Sequence, residues 1–327
     1  MLLSTHRLSR LRPGLWSCLF AALAGLALDP AAAAGLSPRE TILAQARPAE
    51  WQTLDPRQLL YMQLPAGEVI IALAPAVSPL HVANIQTLVH QRYFDGLAIV
   101  RVQDNFVAQW DDPEADDGGD PHKTHPLGAA KTRIAPEFTR AIAGDDHWTS
   151  LPDGDLFAPT VGFLDGFPAA RDPLTGREWL VHCYGMVGVG RDVAPDSGNG
   201  SALYAVIGQP PRRLDHNLAV VGRVISGIEY LSSLPRGTGP MGFYPQAGQR
   251  TPIRSIRLGS ELPAAQQGIW QQLRTDSPSF ARLLDDQRYH RSDFYPQPPG
   301  RVELCGAELP VRHLQLHATS VTEPSSP

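Results

Sequence analysis

The apolar segments that make up the body of this chain are too short to be the helices of a bundle. Glu68 to Leu73, Leu97 to Val102, Val107 to Trp110, Gly185 to Val189, Leu203 to Gly208 and Leu218 to Val224 are each four to seven residues long and are bounded by Gly, Pro or Asn/Asp clusters. Segments of that length between turn residues read as strands, and their spacing suits a barrel. A further segment, Ile253 to Leu258, alternates as a half-buried strand. Composition agrees: 31 Pro and 29 Gly favour many turns, while 43% hydrophobic residues supply a core and exclude general disorder. Two helices interrupt the strands. Ser78-Pro79 supplies an N-cap and a first-turn proline ahead of Val82, Ile85, Leu88 and Val89 at helical spacing, and Tyr93-Phe94-Asp95-Gly96 closes that helix. Ser226 opens a shorter one with Ile228, Leu231 and Leu234 inward.

The flanks differ in character. Arg7, Arg10 and Arg12 precede an apolar run from Leu15 to Leu28 and a small-residue stretch ending at Ala34, which reads as an export signal over residues 1–34. The run is shorter than a bilayer span requires, so cleavage and a periplasmic or secreted product, with no stable membrane insertion, are expected. Residues 35–60 read as an N-terminal arm opened by the helix start Ser37-Pro38-Arg39-Glu40. Residues 114–180 form a Gly-, Pro- and Asp-rich insertion in a domain spanning 61–260, expected to be irregular apart from a short helix near Ala135 to Ala143. Residues 261–312 read as a C-terminal extension, a helix followed by a hairpin around Gln297-Pro298-Pro299-Gly300, and 313–327 as a disordered polar tail. The fold class is therefore mainly β, a closed barrel capped by two helices.

Net charge is −5 and 26 of the 28 basic residues are Arg, a balance without the electrostatic footprint of nucleic-acid binding. Signal removal leaves Cys183 and Cys305 in an oxidising compartment, either as a disulfide pinning the extension to the barrel or as two buried thiols. Their spacing leaves both open. The acidic segment Asp111 to Asp120 with His122 and His125 lacks the ligand spacing of a calcium loop and reads as a solvated loop. Gly188 and Gly190 lack the third glycine of a dinucleotide loop, since Val193 stands there. No cofactor or metal is expected.

Several motifs occur together in a fixed order. Tyr93-Phe94-Asp95-Gly96-Leu97 is followed by Val100-Arg101-Val102 and Phe106-Val107-Ala108-Gln109; then come Gly188-Val189-Gly190-Arg191-Asp192, Gly200-Ser201-Ala202-Leu203-Tyr204, Leu214-Asp215 and Val221-Gly222-Arg223-Val224-Ile225-Ser226-Gly227. This order resembles the cyclophilins, the barrel-type peptidyl-prolyl cis-trans isomerases, over roughly residues 66 to 259. The resemblance implies a cyclophilin-like barrel with Arg101 as the catalytic arginine. It also implies a substrate site of Phe106, Val107, Gln109, Ala202, Tyr204 and Leu214, and proline-containing unfolded or exported polypeptides as partners. There are departures from the family pattern. Ala202 replaces a glutamine that orients the peptide, Val100 a histidine, Trp110 a glycine and Leu218 a pocket histidine, while Arg213 stands where some members have tryptophan.

The residues suit that chemistry on physical grounds as well. An X-Pro bond rotates over a barrier of about 18–20 kcal/mol because the twist breaks amide conjugation, and no covalent bond has to form. As the bond twists, the proline nitrogen regains its lone pair, so a fixed guanidinium stabilises the transition state more than the planar ground state. Two further functions stay open: a cyclophilin-like peptide-binding or chaperone module with little turnover, given Ala202, and a metal-dependent hydrolase using the acidic loop.

Overall fold

The computed structural model describes residues 37–115, 120, 122–144 and 147–314; the expected export signal and the tail beyond Leu314 lie outside them. Nine strands form one antiparallel sheet. In spatial order they are Thr251–Pro252, Ala98–Val102, Val107–Asp111, Leu203–Val206, Met186–Val189, Val220–Ser226, Glu68–Leu73, Leu59–Gln63 and Ser255–Leu258. The sheet curls, and its two edge strands are neighbours in sequence. Ile253 N–H donates to the Leu97 carbonyl at one edge, and Arg254 N–H to the Gln63 carbonyl at the other. Because those edge strands do not pair with each other, the sheet is a curled half-barrel and not the closed ladder expected.

Side-chain alternation along these strands serves two cores. Leu60, Met62, Val69, Ile71, Leu73, Val187 and Val221 point inside, against Val82, Ile85, Leu88 and Val89 of the helix Pro79–His90. Leu59, Tyr61, Ile70, Ala72, Met186 and Val220 point outside, yet are buried too, under Phe163, Trp179, Phe280 and Leu304. Burial on both faces explains why Leu59–Gln63 has no polar alternation. That strand belongs to the sheet, although its first two residues fall in the span read as an arm.

The outer cover comes from the additions. The insertion is neither irregular nor helical at 135–143: it holds a five-stranded antiparallel sheet in the order Arg140–Ala141, Arg177–Leu180, Phe167–Asp172, Thr160–Leu164 and Trp148–Leu151. Glu178, wholly buried in it, takes Arg140 and Arg171 at 2.7 Å each. The C-terminal extension also departs from expectation. Its helix, Pro278–Tyr289, is capped by Ser277, but no hairpin forms around Gln297 to Gly300. Instead Val311–Leu314, which includes the first two residues of the expected tail, pairs with Ile269–Leu273. Ile269–Leu273 in turn pairs with Trp51–Thr53 of the N-terminal segment. Cys183 and Cys305 form a disulfide with Cα atoms 5.0 Å apart. Cys305 sits in the short turn Leu304–Gly306 and not in a hairpin.

The long helix is capped differently from the sequence reading. The Ser78 hydroxyl donates to the Val220 carbonyl. The helix N–H groups of Leu80 and His81 donate to the carboxylate of Glu137, from the insertion, at 2.9 Å each. A carboxylate at that end also meets the positive pole of the helix.

Candidate functional site

Arg101 owes its position to an irregularity. Ala98–Val102 and Val107–Asp111 form a hairpin whose register shifts between Ile99 and Arg101, and this sets Arg101 opposite Gln109. The half-buried guanidinium is then fixed from three sides. Its Nε donates to the Met241 carbonyl at 2.7 Å, one Nη donates to Gln109 Oε1 at 3.2 Å, and the other donates to Gln103 Oε1. It also lies 5.4 Å from the ring centroids of both Phe106 and Phe243. Burial pulls its pKa below the usual arginine value without a carboxylate to oppose it. The result is an oriented cation on aromatic walls.

Next to it Val107, Tyr204 and Val206 form a small buried cluster, with Phe106 and Leu218 packed against it. Leu214 enters from the short turn Arg212–Leu214. All seven residues singled out from the sequence, Arg101, Phe106, Val107, Gln109, Ala202, Tyr204 and Leu214, line one cavity of 840 Å³. Gln109 lines the cavity and also accepts a hydrogen bond from Arg101 through its amide oxygen. The lining combines apolar side chains such as Phe106, Val107 and Leu214 with polar ones such as Arg101, Gln109 and Asn199, so the cavity offers both apolar contact and orienting hydrogen bonds.

Tyr204 is held from behind. Its hydroxyl lies 2.9 Å from His182 Nε2, and His182 Nδ1 lies 2.8 Å from Asp215 Oδ1. Arg212 Nε donates to the other Asp215 oxygen at 2.7 Å, and its two Nη atoms donate to Asp155 of the insertion at 2.7 and 2.9 Å. Burial and the Asp215 charge push the Tyr204 hydroxyl above its ordinary pKa, so it stays neutral. Gly188 makes room for it, because a Cβ there would overlap the Tyr204 hydroxyl. That glycine therefore serves packing and not the binding of a nucleotide.

Sequence reasoning missed Met241 and Phe243, which close the cavity from the turn Pro240–Gly242, and it missed His182 and Asp155 behind the wall. Gly237, Gly239 and Gly242 around Pro240 mark a tight loop but give no sign that it folds over Arg101. Among the described residues of the acidic segment, side chains that could ligate a metal are engaged in hydrogen bonds to the backbone. Asp112 accepts from the backbone N–H groups of Glu114 and His125 at 3.0 and 2.6 Å, and His125 Nδ1 lies 2.9 Å from the Tyr93 carbonyl.

Comparison with known proteins is consistent with this geometry. The family model described as cyclophilin type peptidyl-prolyl cis-trans isomerase/CLD matches residues 59–257. Proteins of Brucella suis and Brucella melitensis named "Probable peptidyl-prolyl cis-trans isomerase" are each 26% identical over 187 residues, 56% of this chain and 74% of theirs. A Synechocystis protein named as a putative thylakoid lumen peptidyl-prolyl cis-trans isomerase is 24% identical over 189 residues, 55% of this chain and 45% of its own. The crystal structure of cyclophilin AquaCyp293 from Hirschia baltica shares the fold with a TM-score of 0.65 at 24% identity, covering 85% of this chain and 98% of its own.

Proposed function

The chain belongs to the cyclophilin-type peptidyl-prolyl cis-trans isomerases and is an enzyme of that class, and we propose that it isomerises X-Pro bonds of exported polypeptides through Arg101. The observation that carries the mechanism is the fixed guanidinium beside an apolar floor of Phe106, Val107, Tyr204 and Leu214. The proline ring settles on that floor and loses water there, which favours the less polar twisted amide. Arg101 donates to the proline nitrogen as its lone pair returns. Gln109 and the Met241 carbonyl hold the guanidinium in place beforehand, so no reorientation is needed as the bond twists. Gln109 thus acts as a positioning residue.

Export is supported by the basic and apolar pattern of residues 1–34 and by the disulfide Cys183–Cys305, a bond suited to an oxidising compartment. No helix among the described residues is long and apolar enough to cross a membrane.

The test is turnover of a short X-Pro peptide in a protease-coupled assay. A hydrogen bond from a charged donor contributes about 1.5–3 kcal/mol, so Arg101→Ala should lower kcat/KM roughly tenfold to a hundredfold while leaving the fold intact. Equal rates for the two proteins would remove Arg101 from the mechanism. Binding without turnover in the parent chain would favour the peptide-binding reading that Ala202 suggests.

A further inference from the structure

A second concavity, of 430 Å³, opens beside the proline pocket and shares Phe106 with it. It lies between the turn Gln103–Asn105, the segment Gln209–Arg213 and Phe157 of the insertion. Its base is preformed. The Asn105 side-chain oxygen accepts from Gln209 N–H at 2.6 Å, and a Cβ at Gly208 would collide with the Asn105 backbone, so the two segments are packed as closely as they can be.

Two aromatic rings form walls, each with a guanidinium against it: Arg213 is 5.2 Å from the Phe106 centroid and Arg212 is 4.7 Å from the Phe157 centroid. The two arginines differ in charge balance. Arg212 is buried between two carboxylates, Asp155 and Asp215. Arg213 is exposed and makes no ion pair among the described residues, and Asp104, a carboxylate lining the same concavity, is 3.0 Å from Arg236. One guanidinium with no carboxylate paired to it among the described residues therefore rests against the Phe106 ring next to the pocket. Leu156 and Phe157, 96% and 63% exposed, place apolar surface of the insertion at the same edge.

From this arrangement we infer that the concavity is a second substrate subsite, which takes an acidic side chain flanking the proline, with Arg213 as its specificity-determining residue. The inference rests on the isomerase reading of the neighbouring pocket, because a peptide whose proline sits against Phe106 must pass one of its flanking residues over the other side of that ring. Aromatic and aliphatic surface holds the carbon stem of the flanking residue, and Arg213 pairs with its carboxylate. A lysine in the same place would meet a like charge.

The test uses fluorescent peptides with one X-Pro bond and either Glu or Lys, placed in one set directly after the proline and in the other two residues before it. Affinity is read by anisotropy and kcat/KM by the coupled assay, on the full chain with its disulfide intact. At one of the two positions Glu should be preferred over Lys by about two- to fivefold, the range of an exposed guanidinium–carboxylate pair. The preference should shrink at about 0.5 M salt, level out in Arg213→Gln and reverse in Arg213→Glu. Equal affinities for Glu and Lys at both positions, or a ratio unmoved by Arg213→Glu, would overturn the inference. If the ratio appears in binding while neither peptide turns over, the subsite stands and the catalytic reading falls. With turnover and a flat ratio, the catalytic reading stands and the subsite falls, and failure of the peptides to bind at all overturns both.

Discussion

Removing the Arg212 guanidinium tests whether the insertion is fastened to the pocket wall by buried charge. Arg212 donates twice to Asp155 and once to Asp215 at 2.7 to 2.9 Å, and the three side chains are only 5–7% exposed. Arg212→Ala would leave two buried carboxylates facing a site without its cation, a loss expected to cost about 3–5 kcal/mol. Asp155→Ala should cost less, about 1.5–3 kcal/mol, because Asp215 still neutralises the arginine. In the double variant the Asp155 carboxylate is no longer stranded, so its cost should fall below the sum of the two by about 0.5–3 kcal/mol. Urea unfolding with the disulfide intact measures all three. The pH dependence has a definite sign. Burial raises the Asp155 pKa, but the hydrogen bonds from Arg212 and from the Phe157 N–H outweigh it, and the net value lies below the ordinary 3.8. The stabilisation is therefore complete above that value and is lost as pH falls through the lower folded one, so acid should destabilise the parent more than the Arg212 variant. A cost under about 1 kcal/mol for Arg212→Ala, the size of an exposed pair, would refute the argument. So would strict additivity in the cycle.

Three other outcomes are expected. Cys305→Ser should lower the unfolding free energy by up to about 4.7 kcal/mol, the chain-entropy figure for a loop of order a hundred residues, since the bonded cysteines are 122 apart; an unchanged urea midpoint would show that the bridge contributes nothing. Arg223 is buried with no ion pair among the described residues, and burial pulls its pKa down to about 10. Its charged form is disfavoured in the fold at neutral pH, a penalty that eases only as pH rises through that value. Arg223→Met should therefore raise Tm at pH 7, and a fall would show that the Gln272 hydrogen bond at 3.2 Å is worth more than the desolvation. Ala202→Gln should increase turnover, because Ala202 lines the cavity and a longer polar side chain there could orient the peptide. A folded variant with no gain would mean that orientation is supplied by another group.

What could be read from the sequence follows from which forces act locally. Glu68–Leu73 has the bounds expected, since its β-branched run and its Ala-Pro stop are both local signals. Ser37 likewise opens its helix with its hydroxyl accepting from Glu40 N–H. The strands of the insertion were hidden by composition, with Pro168 inside one of them, although one signal was available: Asp165-Gly166 at positive φ of 50° and 82° turns Thr160–Leu164 into Phe167–Asp172, the kind of hairpin an Asp-Gly pair favours. The pairing of Trp51–Thr53 with Ile269–Leu273 could not be read at all, because it joins segments more than two hundred residues apart and depends on tertiary packing. At the candidate site, Phe106, Val107, Tyr204 and Leu214 could be grouped from the sequence because they fall within three ordered motifs, and they line one cavity. The second ring against Arg101, Phe243, and the partner of Tyr204, His182, are brought in by segments whose residues give no clue to where they fold.

The segments added to the barrel converge on the wall that carries Tyr204 and Leu214. Asp155 reaches it from the insertion through Arg212, whose turn also bears Leu214. The C-terminal extension reaches it through Cys305, bonded to Cys183, the residue after the His182 that holds the Tyr204 hydroxyl. Neither connection touches the inner core of the half-barrel, which Val82, Ile85 and Leu88 fill. The connections act instead on the outside of the sheet, where strands buried on both faces require a cover, and the cover is anchored at the back of the pocket. If the proposed proline site is right, loosening either anchor should be read in KM for the peptide as well as in stability, because the anchored groups adjoin Tyr204 and Leu214 of the cavity lining. A variant of Asp155 or Cys305 that loses stability while keeping the parent KM would separate the cover from the pocket and limit the additions to a structural role.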